Sequence, residues 1–157
     1  MGKIVRPIEK SEYAILEEFL YNAIFLSPGT KLPPKEIIFE PNIFIYIKDF
    51  GGKDDTCVVA EQNGKIVGAA WARIIGAYGH VDNETPELAV SILPEFRGGG
   101  VGSNLMEKLF ELLRSKGYKE TSLSVQKENP AVRFYLRLGY KIINEKSSGD
   151  YIMIKEL

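Results

Sequence analysis

The chain has 157 residues, of which 45% are hydrophobic and 26% charged, and its formal net charge is −1 at pH 7. This length and balance predict one globular domain over residues 1–157 and exclude a disordered chain. The near-neutral charge argues against a dedicated nucleic-acid binder, which would carry a basic stripe. A single cysteine, Cys57, rules out an internal disulfide, and with one histidine it disfavours a metal site, so no metal is expected.

The N-terminal residues carry no apolar stretch of the signal-peptide type. The segment IIFEPNIFIYI at residues 37–47 is apolar, but Glu40, Pro41 and Asn42 interrupt it and it is too short to span a bilayer. We therefore expect a soluble, cytoplasmic protein that has no membrane partner.

The first third of the chain predicts one strand followed by two helices. Residues 3–8 (KIVRPI) are typical of a short strand. Apolar residues at helical spacing predict a helix over residues 11–25, with Ser11 as its N-cap. Turn-forming residues at 27–34 then lead to a second predicted helix over Pro34–Ile47.

The middle of the chain predicts three strands. Residues 56–61 and 65–75 are rich in strand-forming residues, and Asn63-Gly64 between them is the preferred pair for a type I′ hairpin turn. After a polar loop, apolar and polar residues alternate along ELAVSIL at residues 87–93, which is the period of a half-buried strand.

The last third predicts two helices and three strands. Helical spacing continues over residues 101–117, where Gly117 suits a C-terminal cap. A strand at 121–125 precedes a helix over 129–139, and strands at 140–145 and 150–156 close the chain. The resulting order, β-α-α-β-β-β-α-β-α-β-β, predicts an α/β (α+β) mixture around one mainly antiparallel sheet.

Four glycines occur within six residues at RGGGVG, positions 97–102, between a predicted strand and a predicted helix. Such a junction offers free backbone N–H groups and the positive end of a helix dipole, which suits a phosphate group. Ser103 breaks both the P-loop pattern and the dinucleotide G-x-G-x-x-G register. A glycine-rich turn without a ligand is the alternative interpretation.

The segment LPEFRGGGVG resembles the acetyl-CoA signature R/Q-x-x-G-x-G/A of the GNAT superfamily of N-acetyltransferases, with Arg97, Gly100 and Gly102 on its three defined positions. The segment NPAVRFYLRLGYKI resembles a second motif of the family, an Asn followed six residues later by Tyr and then a Gly-aromatic pair. The resemblance covers the chain from about Cys57 to its C-terminus. It implies the GNAT-type fold, a mixed, mostly antiparallel sheet of six to seven strands flanked by about four helices.

The resemblance also implies that acetyl-CoA lies where the strands at 87–93 and 121–125 splay apart, with its pantetheine arm along the first strand and its pyrophosphate on the glycine amides. Asn129 has a plain helix cap as its alternative role. The residues that the resemblance places at the cofactor are Val90, Ile92, Leu93, Arg97, Gly98, Gly99, Gly100, Val101, Gly102, Ser103, Asn129 and Tyr135.

In the family the acetyl group passes directly to a primary amine, without a covalent enzyme intermediate. An amine with a pKa near ~10.4 must lose a proton before it attacks, and the leaving thiolate gains from a proton donor. Tyr135 occupies the family's general-acid position, with core packing as the alternative. Glu87 is the candidate base, with a solvated or salt-bridged glutamate as the alternative. His80 and Asp82 are weaker candidates for a proton shuttle.

The leading hypothesis is acetylation of a small-molecule amine, in a pocket built by the segment at 27–34, the opening helices, the loop at 76–86 and the last hairpin. Acidic residues at Asp54, Asp55, Glu84 and Glu87 are expected to attract a cationic amine. Ser124 stands where some relatives that acetylate protein N-termini carry Glu, which disfavours that activity. Two alternatives stay open, a protein lysine or N-terminal acetyltransferase and a non-catalytic acyl-CoA-binding module. A homodimer is compatible with the family.

Overall fold

The computed structural model describes residues 3–157, which form a seven-stranded mixed sheet in the order β1-β2-β3-β4-β5-β7-β6. Among the described residues only β4 and β5 pair in parallel, so the prediction of a mostly antiparallel sheet is confirmed. The strands are β1 (Lys3–Pro7), β2 (Thr56–Gln62), β3 (Lys65–Arg73), β4 (Glu87–Ile92), β5 (Glu120–Gln126), β6 (Lys141–Glu145) and β7 (Asp150–Glu156).

Four α-helices and three 3₁₀ turns flank this sheet within the described residues. The 3₁₀ turns are Lys10–Ile15, Lys35–Phe39 and Pro94–Phe96. The helices are α1 (Leu16–Ala23), α2 (Pro41–Phe44), α3 (Val101–Ser115) and α4 (Ala131–Arg137). Between residues 3 and 157, none of these helices has the length and apolarity needed to cross a membrane.

Two predictions for the opening segment are wrong in detail. Ser11 is not a helix cap, because the chain enters through a 3₁₀ turn in which the Glu9 N–H donates to the Glu12 carboxylate at 2.9 Å. The helix predicted over Pro34–Ile47 is broken into the 3₁₀ turn Lys35–Phe39 and the single turn of α2. Pro41 causes the break, since the residue before a proline is pushed out of the helical region, and Glu40 has φ −62° and ψ 132°.

The sheet buries an apolar core on each face. One core packs β2, β3 and β5 against α3, whose buried side chains recur at helical spacing. The other core packs the opposite face of β2 and β3 against α1 and the two helical turns that follow it. Trp71 is fully buried in this second core. The strands in the middle of the sheet are therefore covered on both sides.

Strands β4 and β5 part almost as soon as they meet. Their register contains a single pair, Glu87 with Ser122. On its other edge β4 is paired with β3, and the Leu93 N–H donates to the Val67 carbonyl at 2.9 Å. Because hydrogen-bonded pairs alternate along an antiparallel ladder, the main-chain groups of Val90 and Ile92 face the opening towards β5.

Candidate active site

The glycine segment forms an open loop between β4 and α3. Gly98 and Gly100 have φ of 83° and 82°, the left-handed region that favours glycine. A Cβ atom at Gly98, Gly99 or Gly100 would have no neighbour within 4 Å. The first N–H that pairs within the helix is that of Asn104, which donates to the Gly100 carbonyl at 3.2 Å. The N–H groups just before it stay available at the positive end of a 15-residue helix, an arrangement that suits a phosphate.

Gly102 serves a different purpose from the three glycines before it. A Cβ atom there would lie 3.2 Å from the Ile92 side chain and 3.3 Å from the Phe134 ring. The missing side chain therefore lets the first turn of α3 sit directly against the end of β4 and against α4. This contact brings the glycine loop, β4 and the helix that carries Tyr135 to one place.

The Arg97 side chain turns away from the glycine loop. Its Nε donates to the Ile92 carbonyl at 3.0 Å and its Nη2 to the Asn22 carbonyl at 3.4 Å. These bonds join the end of α1 to the end of β4 and so hold the two walls of the site together. A charged contact from this guanidinium to a phosphate stays a prediction.

Tyr135 is buried in α4, with its ring centroid 5.5 Å from that of Phe134 and 5.8 Å from that of Tyr140. Burial raises the pKa of Tyr135 to about 12, so its hydroxyl is protonated at neutral pH and can donate a proton. Asn129 caps the same helix, since its side-chain oxygen accepts the Ala131 N–H at 2.9 Å. Its contact with a cofactor stays a prediction.

Glu87 lies at the start of β4 with only 2% of its surface exposed, so the alternative of a solvated glutamate is wrong. Its Oε2 accepts two neutral donors, the Tyr46 hydroxyl at 2.5 Å and the Gly79 N–H at 2.8 Å. Its Oε1 has no hydrogen-bond partner among residues 3–157. Burial raises the pKa of Glu87, although the two hydrogen bonds oppose this shift. A buried carboxylate with a raised pKa and one free oxygen is suited to accept a proton.

Asp54 and Asp55 do not line this site, which corrects the expectation that they attract the amine. Asp55 forms an ion pair with Arg73, with Oδ1 2.8 Å from Nε, and both side chains are buried. Asp54 accepts a hydrogen bond from the Tyr118 hydroxyl. Asp55 thus holds its loop to β3, and Asp54 joins the same loop to the one between α3 and β5.

The loop between β3 and β4, residues 74–86, covers the start of the opening between β4 and β5. Gly79 rests on the main chain of β5, and its carbonyl accepts the Ser122 hydroxyl at 2.7 Å. The neighbouring Tyr78 accepts the Asn42 amide at its hydroxyl and the Lys146 ammonium at its carbonyl, at 2.9 Å for the ammonium. The loop thus bridges α2 and the β6–β7 turn across the site.

The two weaker candidates for a proton shuttle both lie on this loop. The exposed His80 has a ring nitrogen 3.0 Å from the Ile75 carbonyl, and the Asp82 carboxylate accepts the Glu84 N–H at 2.8 Å. Neither contact joins these side chains to Glu87, so their part in proton transfer stays a prediction.

Replacing Gly79 by alanine is expected to destabilise this arrangement. The added Cβ would lie 2.8 Å from two main-chain atoms of β5 and 3.0 Å from Glu87 Oε2, so the loop must move away. We expect Gly79→Ala to lower the free energy of unfolding by about 2 kcal/mol, measured by urea denaturation. Gly76→Ala is the matched control, because a Cβ there meets nothing within 4 Å. Equal stability of the two variants would contradict the close packing of the loop.

A cavity of about 660 Å³ opens on the α1 side of the sheet. Tyr21 and Asn22 of α1 line one wall, Ile38 lines another, and Leu93 at the end of β4 forms part of the floor. Neither Glu87 nor Tyr135 lines this cavity, so the acceptor pocket stays a prediction. Among residues 3–157, no group of three or more His, Cys, Asp or Glu side chains is placed to hold a metal ion.

Comparison with known proteins places this geometry in a family. Residues 19–140 match the model of the Acetyltransferase (GNAT) family. PaiA N-acetyltransferase of Thermoplasma acidophilum, solved with coenzyme A, is 19% identical over 100% of both chains with a TM-score of 0.71. Phosphinothricin acetyltransferase of Sinorhizobium meliloti, solved with acetyl-CoA, is 18% identical over 100% of this chain and 89% of its own, with a TM-score of 0.71.

A third solved structure is the ribosomal-protein-S18-alanine N-acetyltransferase of Escherichia coli. It is 17% identical over 99% of this chain and 94% of its own, with a TM-score of 0.68. At these sequence identities, the similarity to the three solved structures shows a shared fold. The family model identifies the family from the sequence itself. The chain belongs to the acetyltransferase (GNAT) family of acyl-transferring enzymes.

Proposed function

We propose that this protein transfers an acetyl group from acetyl-CoA directly to a primary amine on a small molecule. The observation that carries the proposal is the opening between β4 and β5, which leads to a glycine loop with free amides in a chain of this family. An extended ligand can pair along that opening with the main chain of Val90 and with the N–H of Ile92, whose carbonyl already accepts Arg97 Nε. Its pyrophosphate can then reach the loop at the start of α3.

The residues present fit acetyl-CoA. The three exposed glycines leave the main chain open to a bulky phosphate, and a side chain at any of them would intrude on that space. The solved structures of two proteins of similar fold, with coenzyme A and with acetyl-CoA, support the same cosubstrate. Acetyl-CoA supplies the acetyl group as a thioester, and the remaining chemistry falls to the side chains of this chain.

Glu87 and Tyr135 divide the proton transfers. The Glu87 carboxylate accepts a proton from the ammonium form of the acceptor, and the neutral nitrogen then forms the new C–N bond as the C–S bond breaks. Tyr135 donates its proton to the departing sulfur. The proton that the nitrogen loses on becoming an amide restores Tyr135, and Glu87 returns its proton to solvent.

The bridge made by the β3–β4 loop supports a small acceptor. A protein lysine or N-terminus needs an open groove over the reacting atoms, whereas Tyr78 joins α2 to the β6–β7 turn across that region. Protein acetylation and a non-catalytic acyl-CoA-binding module are therefore the outcomes against which the proposal is tested. A cytoplasmic location, the absence of a metal cofactor and a homodimer stay predictions from the sequence.

Calorimetric titration with acetyl-CoA tests the binding half of the proposal. We expect saturable binding to the wild type at about one per chain, and binding at least tenfold weaker in Gly100→Val. Gly117→Val is the matched control, because Gly117 ends the same helix with φ 90° and equally open surroundings. Both variants carry the same backbone strain, so equal loss of affinity in the two would contradict a cosubstrate site at the glycine loop.

A further inference from the structure

Tyr46 is held by its main chain while its side chain reaches the candidate base. The buried Trp71 donates its indole N–H to the Tyr46 carbonyl at 3.0 Å, and Arg73 donates to the preceding Ile45 carbonyl at 2.9 Å. Both donors lie on β3, two residues apart, and so face the same side of the sheet. The segment after α2 is thereby fixed to the strand next to β4. Its tyrosine hydroxyl then lies 2.5 Å from Glu87 Oε2.

The two donors to Glu87 act on one oxygen only. The Tyr46 hydroxyl and the Gly79 N–H both donate to Oε2, which leaves Oε1 without a partner among the described residues. A carboxylate held at one oxygen has a defined orientation, and the other oxygen, buried and unpartnered among the described residues, is the one left to receive a proton. Because the Tyr46 hydroxyl donates to this carboxylate, it stabilises the charged form of Glu87.

Arg73 is the cation that could neutralise Glu87, but it is engaged elsewhere. The two residues stand directly opposite each other in the β3–β4 register, where side chains come within contact distance. The Arg73 guanidinium instead makes two bonds to the Asp55 carboxylate, at 2.8 and 3.1 Å. Glu87 is therefore left with neutral donors, which hold its geometry without the strong stabilisation that an adjacent guanidinium would give to its charge.

We propose that Tyr46 is a positioning residue for acetyl transfer, which orients Glu87 through Oε2 so that Oε1 receives the proton of the acceptor amine. The Asp55–Arg73 ion pair supports this arrangement by keeping the guanidinium away from Glu87. The inference rests on the proposed function and adds to it the residues that set the basicity of Glu87.

The charged and titratable groups near Glu87 are few. Tyr46 faces it from the segment after α2, and His80 contributes a weaker charge effect from the β3–β4 loop. Arg73, with its partner Asp55, faces it from β3, and β5 contributes only the neutral Ser122 at the paired position. Two of these groups can be changed so that the pKa of Glu87 moves in opposite directions.

The test measures the pKa of Glu87 in two ways, by the acidic limb of kcat/KM against pH and by carbon NMR of the labelled carboxyl in the free protein. Glu87→Gln assigns the NMR signal.

In Tyr46→Phe the lost hydrogen bond is expected to raise the pKa of Glu87 by about one unit, so the acidic limb moves to higher pH. In Asp55→Asn the guanidinium of Arg73 is released from its ion pair. It can then stabilise the charged form of Glu87, so the acidic limb is expected to move to lower pH. Tyr118→Phe is the control, since it also removes a tyrosine hydroxyl bound to a carboxylate. It is expected to leave the dependence of kcat/KM on pH unchanged.

Opposite shifts in the two variants support the proposal. An unshifted Glu87 signal in Tyr46→Phe overturns it, even if the activity of that variant is lower, because a purely structural role would reduce activity without moving the titration. If Tyr46→Phe fails to fold, Asp55→Asn tests the proposal by itself. A shift of its acidic limb to higher pH then overturns the proposal. The NMR titration needs no turnover, so its result stands apart from failure of the acetyltransferase assay.

Discussion

Glu87→Gln is expected to lower kcat about 1,000-fold at neutral pH while the affinity for acetyl-CoA stays unchanged. Glutamine keeps the shape of the side chain, and its amide oxygen can accept the same two hydrogen bonds from Tyr46 and Gly79. It has no group that can take a proton from the acceptor ammonium. Steady-state release of free thiol measures the loss, and calorimetry measures the affinity.

Glu111→Gln is the control for this substitution, because Glu111 lies exposed on α3, outside the candidate site. It is expected to retain wild-type kcat. If Glu87→Gln keeps kcat within about threefold of the wild type, Glu87 is not the base and another route removes the proton.

The same substitution also predicts a pH-dependent difference in stability. Burial raises the pKa of Glu87 above its unfolded value, so the protonated side chain is the form that favours folding. The protonated side chain stabilises the folded state fully below the ordinary glutamate pKa of about 4.3. This stabilisation is lost as the pH rises through the raised pKa that Glu87 has in the folded protein. Urea denaturation at pH 4 and pH 8 is therefore expected to show Glu87→Gln gaining stability relative to the wild type at the higher pH. A constant difference would contradict the buried carboxylate.

Tyr135→Phe is expected to lower kcat about 100-fold, with little change in the KM for acetyl-CoA. The substitution keeps the aromatic packing on Phe134 and Tyr140 and removes only the hydroxyl. Because burial raises the pKa of Tyr135 to about 12, the wild-type tyrosine stays protonated throughout the working range of pH. The assay is thiol release at saturating acetyl-CoA.

Tyr140→Phe is matched to this variant, since Tyr140 is a buried tyrosine whose ring packs on Tyr135. It is expected to keep near wild-type kcat. Equal losses in the two variants would show that the site responds to altered packing, and Tyr135 would then not be the proton donor.

Local signals in the sequence predicted much of the fold. The type I′ turn at Asn63-Gly64 is confirmed by φ of 52° and 80°, since the residue pair itself selects that conformation. The left-handed cap at Gly117 is confirmed by φ 90°. The sheet follows from alternation within each strand. In contrast, the helix predicted over Pro34–Ile47 is wrong, because apolar spacing does not reveal the conformational restriction that Pro41 places on Glu40.

The candidate site was predicted only where its residues carry a local motif. Glu87 stands at a strand start, but its carboxylate accepts a hydrogen bond from Tyr46, which lies 41 positions away in the chain. The role of Asp55 depends on Arg73, 18 positions away, so composition alone assigned this aspartate to the acceptor instead. Gly79 gives no signal in sequence, because its need for a missing side chain comes from the main chain of β5. Contacts between distant segments determine these three roles.

Mass spectrometry of the reaction products tests acetyl transfer to a small amine most directly. The wild type and Glu87→Gln are each incubated with acetyl-CoA and an equimolar mixture of small primary amines and peptides that carry free N-termini and lysines. We expect acetylated small amines with the wild type, far less product with the variant, and unmodified peptides in both. Acetylation of the peptides alone, or no acetylated product from a protein that binds acetyl-CoA, would contradict the proposed transfer of acetyl groups to small amines.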